Sequence, residues 1–431
     1  MTRPDPVQTA TTERLTALSL PADQAAWANA GRAGALARLR AAGLPDRRDE
    51  YWKFTRPETL VQPLPPTAAV FDDSDESPLF GAVDRLRIVF VDGVFDPAAS
   101  DDLSAEGLTI ERLEDVARTD IHWARNLYGT LEQAGQTPVP RPLASLNTAF
   151  ATDGVVIRVT GQVSRPVNLI YLHGSESSDA TLHNLVRLEE GARLTLLENG
   201  PAAARFNQCT EVDIAKGAAF DHVRAQGRDH ERRAVTHMFA RLGANAAFRS
   251  FTLTVNGALT RNETVLSLTG DDALAHVAGA ALGDGGFHHD DTVFVTHDAV
   301  NCESRQVFKK VLRHGATGVF QGKILVRPGA QKTDGYQISQ SLLLDDDSRF
   351  LAKPELEIYA DDVACSHGST TGAIDEDALF YLCSRGVPRA DAQDLLIMAF
   401  LGEAIEEIAD EGLRDDLAER LRAWLLRRRD G

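Results

Sequence analysis

Apolar and polar residues alternate in short runs from about Val155 to Val363. Val155-Val156-Ile157-Arg158-Val159, Arg193-Leu194-Thr195-Leu196-Leu197 and Phe248-Arg249-Ser250-Phe251-Thr252-Leu253 are examples. A period of two places one set of side chains on each face of a strand. Gly-Ala or Gly-Asp corners divide the runs: Gly191, Gly217, Gly243, Gly257, Gly270, Gly315 and Gly329 each open one. Successive corners lie 13 or 14 residues apart, 26 in two places and 45 in one. Strands repeating at a fixed length, with no helical pattern between them, predict a solenoid and exclude a doubly wound α/β sheet. Two units form one coil of ~26 residues, which gives about eight coils. The β-sandwich is the alternative that short strands also permit.

The flanks follow a different rhythm. Ala33 to Ala42 is rich in Ala, Leu and Arg, and Gly43 with Pro45 stops it, so the first 60 residues read as helical. Asp49-Glu50-Tyr51-Trp52-Lys53-Phe54-Thr55 is an aromatic cluster suited to plugging a small core. Gln62 to Pro78, with four prolines and the run Asp72-Asp73-Ser74-Asp75-Glu76, reads as a solvated linker. Leu86 to Phe95 alternates like a strand, Glu111 to Glu132 predicts a helix, and Gln136 to Pro142 is a second Pro-rich loop. After the repeats, Leu395, Leu396, Met398, Phe400, Ile405 and Ile408 form one apolar stripe. Leu413, Leu417, Leu421 and Trp424-Leu425 form another, ending in Arg427-Arg428-Arg429, cations that suit a helix C-terminus. Such stripes pack on each other or fill a partner's groove. Helices on either side of an open solenoid are expected to cover its unpaired ends.

Composition narrows the class. A hydrophobic fraction of 43% and a charged fraction of 25% are ordinary for a globular protein. The net charge of −18 argues against nucleic acid and anionic membrane as partners. No run reaches the ~20 apolar residues of a membrane span, and the N-terminus carries no secretory pattern, so a cytoplasmic location is expected. Cys209, Cys302, Cys365 and Cys383 lie far apart without any C-x-x-C pair, and read as free thiols.

Cys365-Ser366-His367 offers the sharpest chemistry. In a strand, residues i and i+2 share a face ~6.6 Å apart, so thiol and imidazole address one metal ion or one partner surface together. An iron–sulfur cluster takes about four ligands, so two from one segment imply that the rest come from elsewhere. Cys302 and Cys383 read as packing residues and His297 as a rung of the repeat. His288-His289-Asp290-Asp291 is a weaker metal candidate, read as a loop cluster. Gly318-Val319-Phe320-Gln321-Gly322-Lys323 lacks the spacing, the hydroxyl residue and the following helix of a phosphate loop, so no nucleotide is expected on this chain. Asp271-Asp272 and Asp345-Asp346-Asp347 look like turn residues, which weakens the reading as a β-helix carbohydrate enzyme.

One stretch carries a family resemblance. Thr292 to His297, Cys302-Glu303-Ser304-Arg305-Gln306 with Lys309, Gly318 to Ile324 and Ala330-Gln331-Lys332-Thr333-Asp334 follow one another in order. Leu342-Leu343-Leu344, Pro354 to Val363 and Cys365-Ser366-His367-Gly368 complete it. It resembles the SufB/SufD family of the SUF iron–sulfur cluster assembly machinery, and the Cys-Ser-His-Gly signature belongs to its SufD side. Ser369 departs from the usual Ala. The resemblance implies a mainly β protein with a right-handed parallel β-helix core flanked by helical regions. The corresponding divisions are residues 1–80, 81–150, 151–367 and 368–431. It further implies a non-enzymatic scaffold that pairs with a SufB-like subunit and docks a SufC-like ATPase through its C-terminal region. Arg385, Leu395, Phe400 and Glu403 are the candidate contacts there. His367, with Cys365, is the implied contributor to a transient iron–sulfur cluster at the subunit interface. A purely structural subunit, including a homodimer, is the alternative.

Overall fold

The computed structural model describes residues 6–70, 78–227 and 230–427. The helices are α1 (Pro6–Thr16), α2 (Ala26–Ala42), α3 (Glu58–Val61), α4 (Leu113–Val116), α5 (Thr130–Ala134), α6 (Pro142–Phe150), α7 (Glu376–Ser384), α8 (Arg389–Ile405) and α9 (Glu411–Arg427). The strands begin with β1 (Leu86–Val91), β2 (Val94–Phe95), β3 (Leu108–Arg112), β4 (Val155–Val159), β5 (Val167–Leu172) and β6 (Asp179–Leu188). They continue as β7 (Arg193–Asn199), β8 (Arg205–Ile214), β9 (Ala219–Gln226), β10 (Arg233–Leu242), β11 (Ala247–Thr254), β12 (Leu259–Leu268) and β13 (Leu274–Asp284). The last six are β14 (His288–His297), β15 (Glu303–Arg313), β16 (Thr317–Val326), β17 (Asp334–Leu343), β18 (Arg349–Ile358) and β19 (Ala364–Gly372).

The chain winds as a parallel β-solenoid of about seven turns. Each coil gives one strand to a ten-stranded sheet, ordered β19-β17-β15-β13-β11-β9-β7-β5-β1-β2, and one to a nine-stranded sheet, ordered β18-β16-β14-β12-β10-β8-β6-β4-β3. Two strands per coil is the arrangement the 13-residue unit predicts, and the β-sandwich alternative is set aside. Coil length grows along the column, from the 26-residue step between Asp179 and Arg205 to the 32-residue step between Thr317 and Arg349.

Alternation builds the interior. Leu194, Phe206, Phe220, Ala234, Leu242 and Phe248 point between the sheets and are fully buried. Each large side chain removed from water contributes about 1.5–3 kcal/mol. The corners stack as well. Gly191, Gly217, Asn245, Asp272, Asn301 and Lys332 occupy successive corners with positive φ. The N–H of each donates to a carbonyl of the next coil, as Gly217 N to Ala244 O (2.9 Å) and Asn301 N to Gln331 O (2.9 Å). The 45-residue gap in the glycine series therefore spans a corner occupied by Asn301, because Asn tolerates the left-handed region.

The helices cover the faces of the solenoid and leave its last coil open, contrary to the expected end caps. The stripes of α8 and α9 pack on Val223, Phe251, Leu253, Val307 and Val311 of the ten-stranded sheet. On the other sheet, Trp52, Leu60, α2 and α6 bury Val235 and Leu259. Tyr51 lies edge-on to Phe294, so the aromatic cluster does plug a core. The expected helix from Glu111 to Glu132 is instead α4, a 3-10 turn (Trp123–Asn126) and α5, interrupted by Gly129 at φ 69. The segment from Gln62 onward is a strap more than a linker. Arg205 holds the Gln62 carbonyl at 2.6 Å, and buried Ala68 donates to Glu176 O at 2.9 Å. The acidic run Asp72 to Glu76, and Arg428-Arg429, lie outside the described residues.

Candidate site at the open end of the solenoid

The two ends of the column differ. At the first, antiparallel neighbours finish both sheets: the two-residue β2 beside β1, and β3 beside β4. At the other end, β18 and β19 are ten and nine residues long, and among the described residues each pairs on one side only. Strand β18 is half-buried almost throughout, and β19 is mostly exposed. Long edge strands present a row of free N–H and C=O groups, a template for another chain.

Ala364 N donates to Thr333 O at 2.8 Å, so even-numbered residues of β19 bond to β17. The N–H groups of Cys365, His367, Ser369 and Thr371 point outward from the sheet edge. The side chains of these four residues share the face that continues the solenoid interior. Half-buried Cys365 packs with Ile324, Val326 and Ala330. Its register partner is Gly335, where a Cβ would meet Sγ at 3.1 Å, so the glycine makes room for the thiol. Burial, followed by the carboxylate of Asp334, pushes the Cys365 thiol up. It is therefore a neutral thiol at pH 7 until a cation or base draws off its proton.

Exposed His367 stands in register with buried Gln337, whose Nε2 donates to Gln306 Oε1 at 2.9 Å. The Ser339 and Ser369 hydroxyls are 3.1 Å apart, and those of Ser341 and Thr371 3.2 Å. The mouth is thus polar, while further in the rings of Phe308 and Phe320 stand 4.9 Å apart. The strand brings Cys365 and His367 onto one face, as their spacing predicts. Among the described residues, no three His, Cys, Asp or Glu side chains converge to hold a metal ion. What the strand supplies is one thiol and one imidazole, groups of the kind that soft and borderline metal ions accept.

The other cysteines sit elsewhere. Cys209 is buried under α5 and α6, its thiol pushed well up by burial. Cys302 is buried and donates to Gly270 O at 3.4 Å. Cys383 is half-buried on α7. His288-His289-Asp290-Asp291 is not a loop cluster. It opens β14, where neighbours point to opposite faces. His289 and Asp291 face inward to Lys310, at 3.1 and 2.7 Å. His288 faces outward to Thr55 Oγ1 at 3.0 Å. His297 is an interior rung, its Nε2 2.8 Å from Ser304 Oγ. Gly318 to Lys323 lie within β16.

On the C-terminal helices the four candidate contacts divide. Leu395 is 52% exposed and Arg385 is exposed, its guanidinium 5.0 Å from the Tyr381 ring centre. Phe400 and Glu403 turn toward β15, where Lys309 stands 4.6 Å over the Phe400 ring and pairs with Glu403. Sequence reasoning passed over Phe380 and Tyr381, which are 74% and 57% exposed on α7. Two adjacent aromatics in a helical tail, both unable to face one core, were the available signal.

The fold and its open edge define a parallel β-solenoid whose last coil sets a thiol and an imidazole on the free edge of a strand. The chain belongs to the SufB/SufD family: residues 171–400 match the family model described as SUF system FeS cluster assembly, SufBD core domain. It is 29% identical over 403 residues to the iron–sulfur cluster assembly protein SufD of Escherichia coli, covering 90% of each chain. To SufD of Bacillus subtilis it is 29% identical over 287 residues, 64% of this chain and 65% of that one. An iron–sulfur cluster assembly SufBD family protein of Mycobacterium tuberculosis is 30% identical over 294 residues, 66% of this chain and 74% of the relative. The protein is an iron–sulfur cluster assembly protein of this family. None of its described helices is long and apolar enough to cross a membrane.

Proposed function

We propose that this chain is a non-enzymatic scaffold subunit whose open coil pairs with a SufB-like subunit, bringing Cys365 and His367 to a nascent cluster shared between the two. The observation that carries this reading is the free edge of β19, which sets a thiol and an imidazole on the mouth face of a strand awaiting a neighbour. Iron and sulfide are cargo here, and the two side chains supply part of a shell that a second subunit completes. The exposed Phe380, Tyr381, Arg385 and Leu395 form the surface on which a SufC-like ATPase docks. Phe400 and Glu403 serve that docking through the seating of α8 on Lys309.

The test is reconstitution. The chain is co-expressed with its SufB and SufC counterparts, purified without oxygen and given iron and sulfide. Cluster absorbance should fall in His367→Ala with the complex intact. Equal absorbance in His367→Ala and in Cys365→Ala would leave a purely structural, ATPase-docking subunit.

A further inference from the structure

Away from the open end, a cavity of about 450 Å³ lies between the segment after Trp52 and the outer face of the nine-stranded sheet. Phe54, Arg56 and Thr59 form one wall. The other is built from first or near-first residues of successive strands: Arg233, Leu259, His288, Thr317 and Arg349. Register places Thr317 between His288 and Arg349, while Arg233 sits against Leu259. Four strand spacings separate Arg233 from Arg349, so the groove is ~19 Å long.

In a chain of net charge −18, no carboxylate among the described residues lines this groove. Among the described residues, Arg56, Arg233 and Arg349 make no ion pair, whereas neighbouring arginines do. Arg205 is paired with Asp179 at 2.6 Å and Arg261 with Asp290 at 2.5 Å. Thr55 gives its one hydroxyl proton to Asp290 Oδ2 at 2.5 Å, so the Thr55–His288 hydrogen bond is donated by His288 Nε2. Phe54, Leu259 and Leu351 add apolar surface beside these cations. The volume falls in the range of small-molecule sites.

We infer that this groove binds an organic phosphate ester. Its phosphoryl oxygens meet Arg56, Thr317 and Arg349, and its apolar body lies along Leu259 beneath Phe54. Guanidinium groups match phosphoryl oxygens in a fork, and Arg233 at the far end deepens the positive field.

Phenyl phosphate titrated calorimetrically into the purified chain is the direct probe, with inorganic phosphate and phenol as comparisons. Phenyl phosphate should bind more tightly than either, and Arg349→Gln should weaken it at least tenfold while Arg233→Gln weakens it less. Both substitutions are on solvent-facing side chains, and circular dichroism verifies the fold. No heat from phenyl phosphate at millimolar concentration, or the same affinity in Arg349→Gln, would overturn the site. Inorganic phosphate binding as tightly as phenyl phosphate would overturn the ester assignment.

Discussion

Lowering the pH should destabilise this solenoid through histidines that its interior and faces hold neutral, and His297 isolates the effect. Burial alone pushes His297 down to about 4, and burial foremost does the same to His288. Both start from an ordinary value of 6.5. The sign follows from proton uptake. The folded state refuses a proton that the unfolded chain accepts, so the neutral form's stability is intact above 6.5 and drains away as pH falls below it. Between pH 7.5 and 5.5 each such histidine costs about 1.3 kcal/mol, and the pair roughly 2.6 kcal/mol. His222 and His289, also held down by burial, act in the same direction. His297→Gln keeps a donor for Ser304 and removes one titrating group. Thermal melts of wild type and variant at the two pH values give the comparison. The variant should lose visibly less Tm on acidification, whatever its stability at pH 7.5. Identical losses would show that His297 is not held neutral by the fold.

Four further outcomes follow from the packing. Gly270→Ala should cost more than ~2 kcal/mol, because a Cβ there would run into the backbone of Ala244 in the adjacent coil; chemical denaturation reads it. Lys310→Met leaves Asp291 and His289 buried without their cation and should destabilise by about 3–5 kcal/mol, more than Lys310→Met with Asp291→Asn. Ser369→Pro removes an outward N–H but no ladder bond, so the chain should fold normally and pair less with a SufB-like subunit in gel filtration. Removing residues 389–431 uncovers Phe251, Val307 and Val311, and should produce aggregation together with loss of ATPase-subunit binding in a pull-down.

The solenoid was legible because its code is short-range. Alternation names the faces, and glycine names the corners wherever glycine fills them. The corner series broke at Asn301, where no glycine stands beside the left-handed residue; at Asn245, Asp272 and Lys332 a glycine two or three residues earlier kept the count. Cys365 and His367 were legible as a pair for the same local reason. Their position on an uncovered edge was not, because it depends on where the helices dock. An apolar stripe such as that of α8 says that it will be buried; it does not say whether a sheet face or a sheet end will receive it. The arginine groove was equally hidden: Arg56, Arg233 and Arg349 are far apart in sequence and meet only through register.

The contrast between the ends of the column gives the molecule a direction in time. A coil with neighbours above and below is held by both, whereas the final coil is held from one side and bears the full entropy of its own ordering. Hydrogen exchange should therefore run as a gradient, slowest in the middle coils and fastest along β19. A partner that completes the ladder would order that coil and assemble the ligand shell in one event. Under the proposed function the unfinished edge would act as an interlock, keeping Cys365 and His367 from forming a full site until a partner strand is in place.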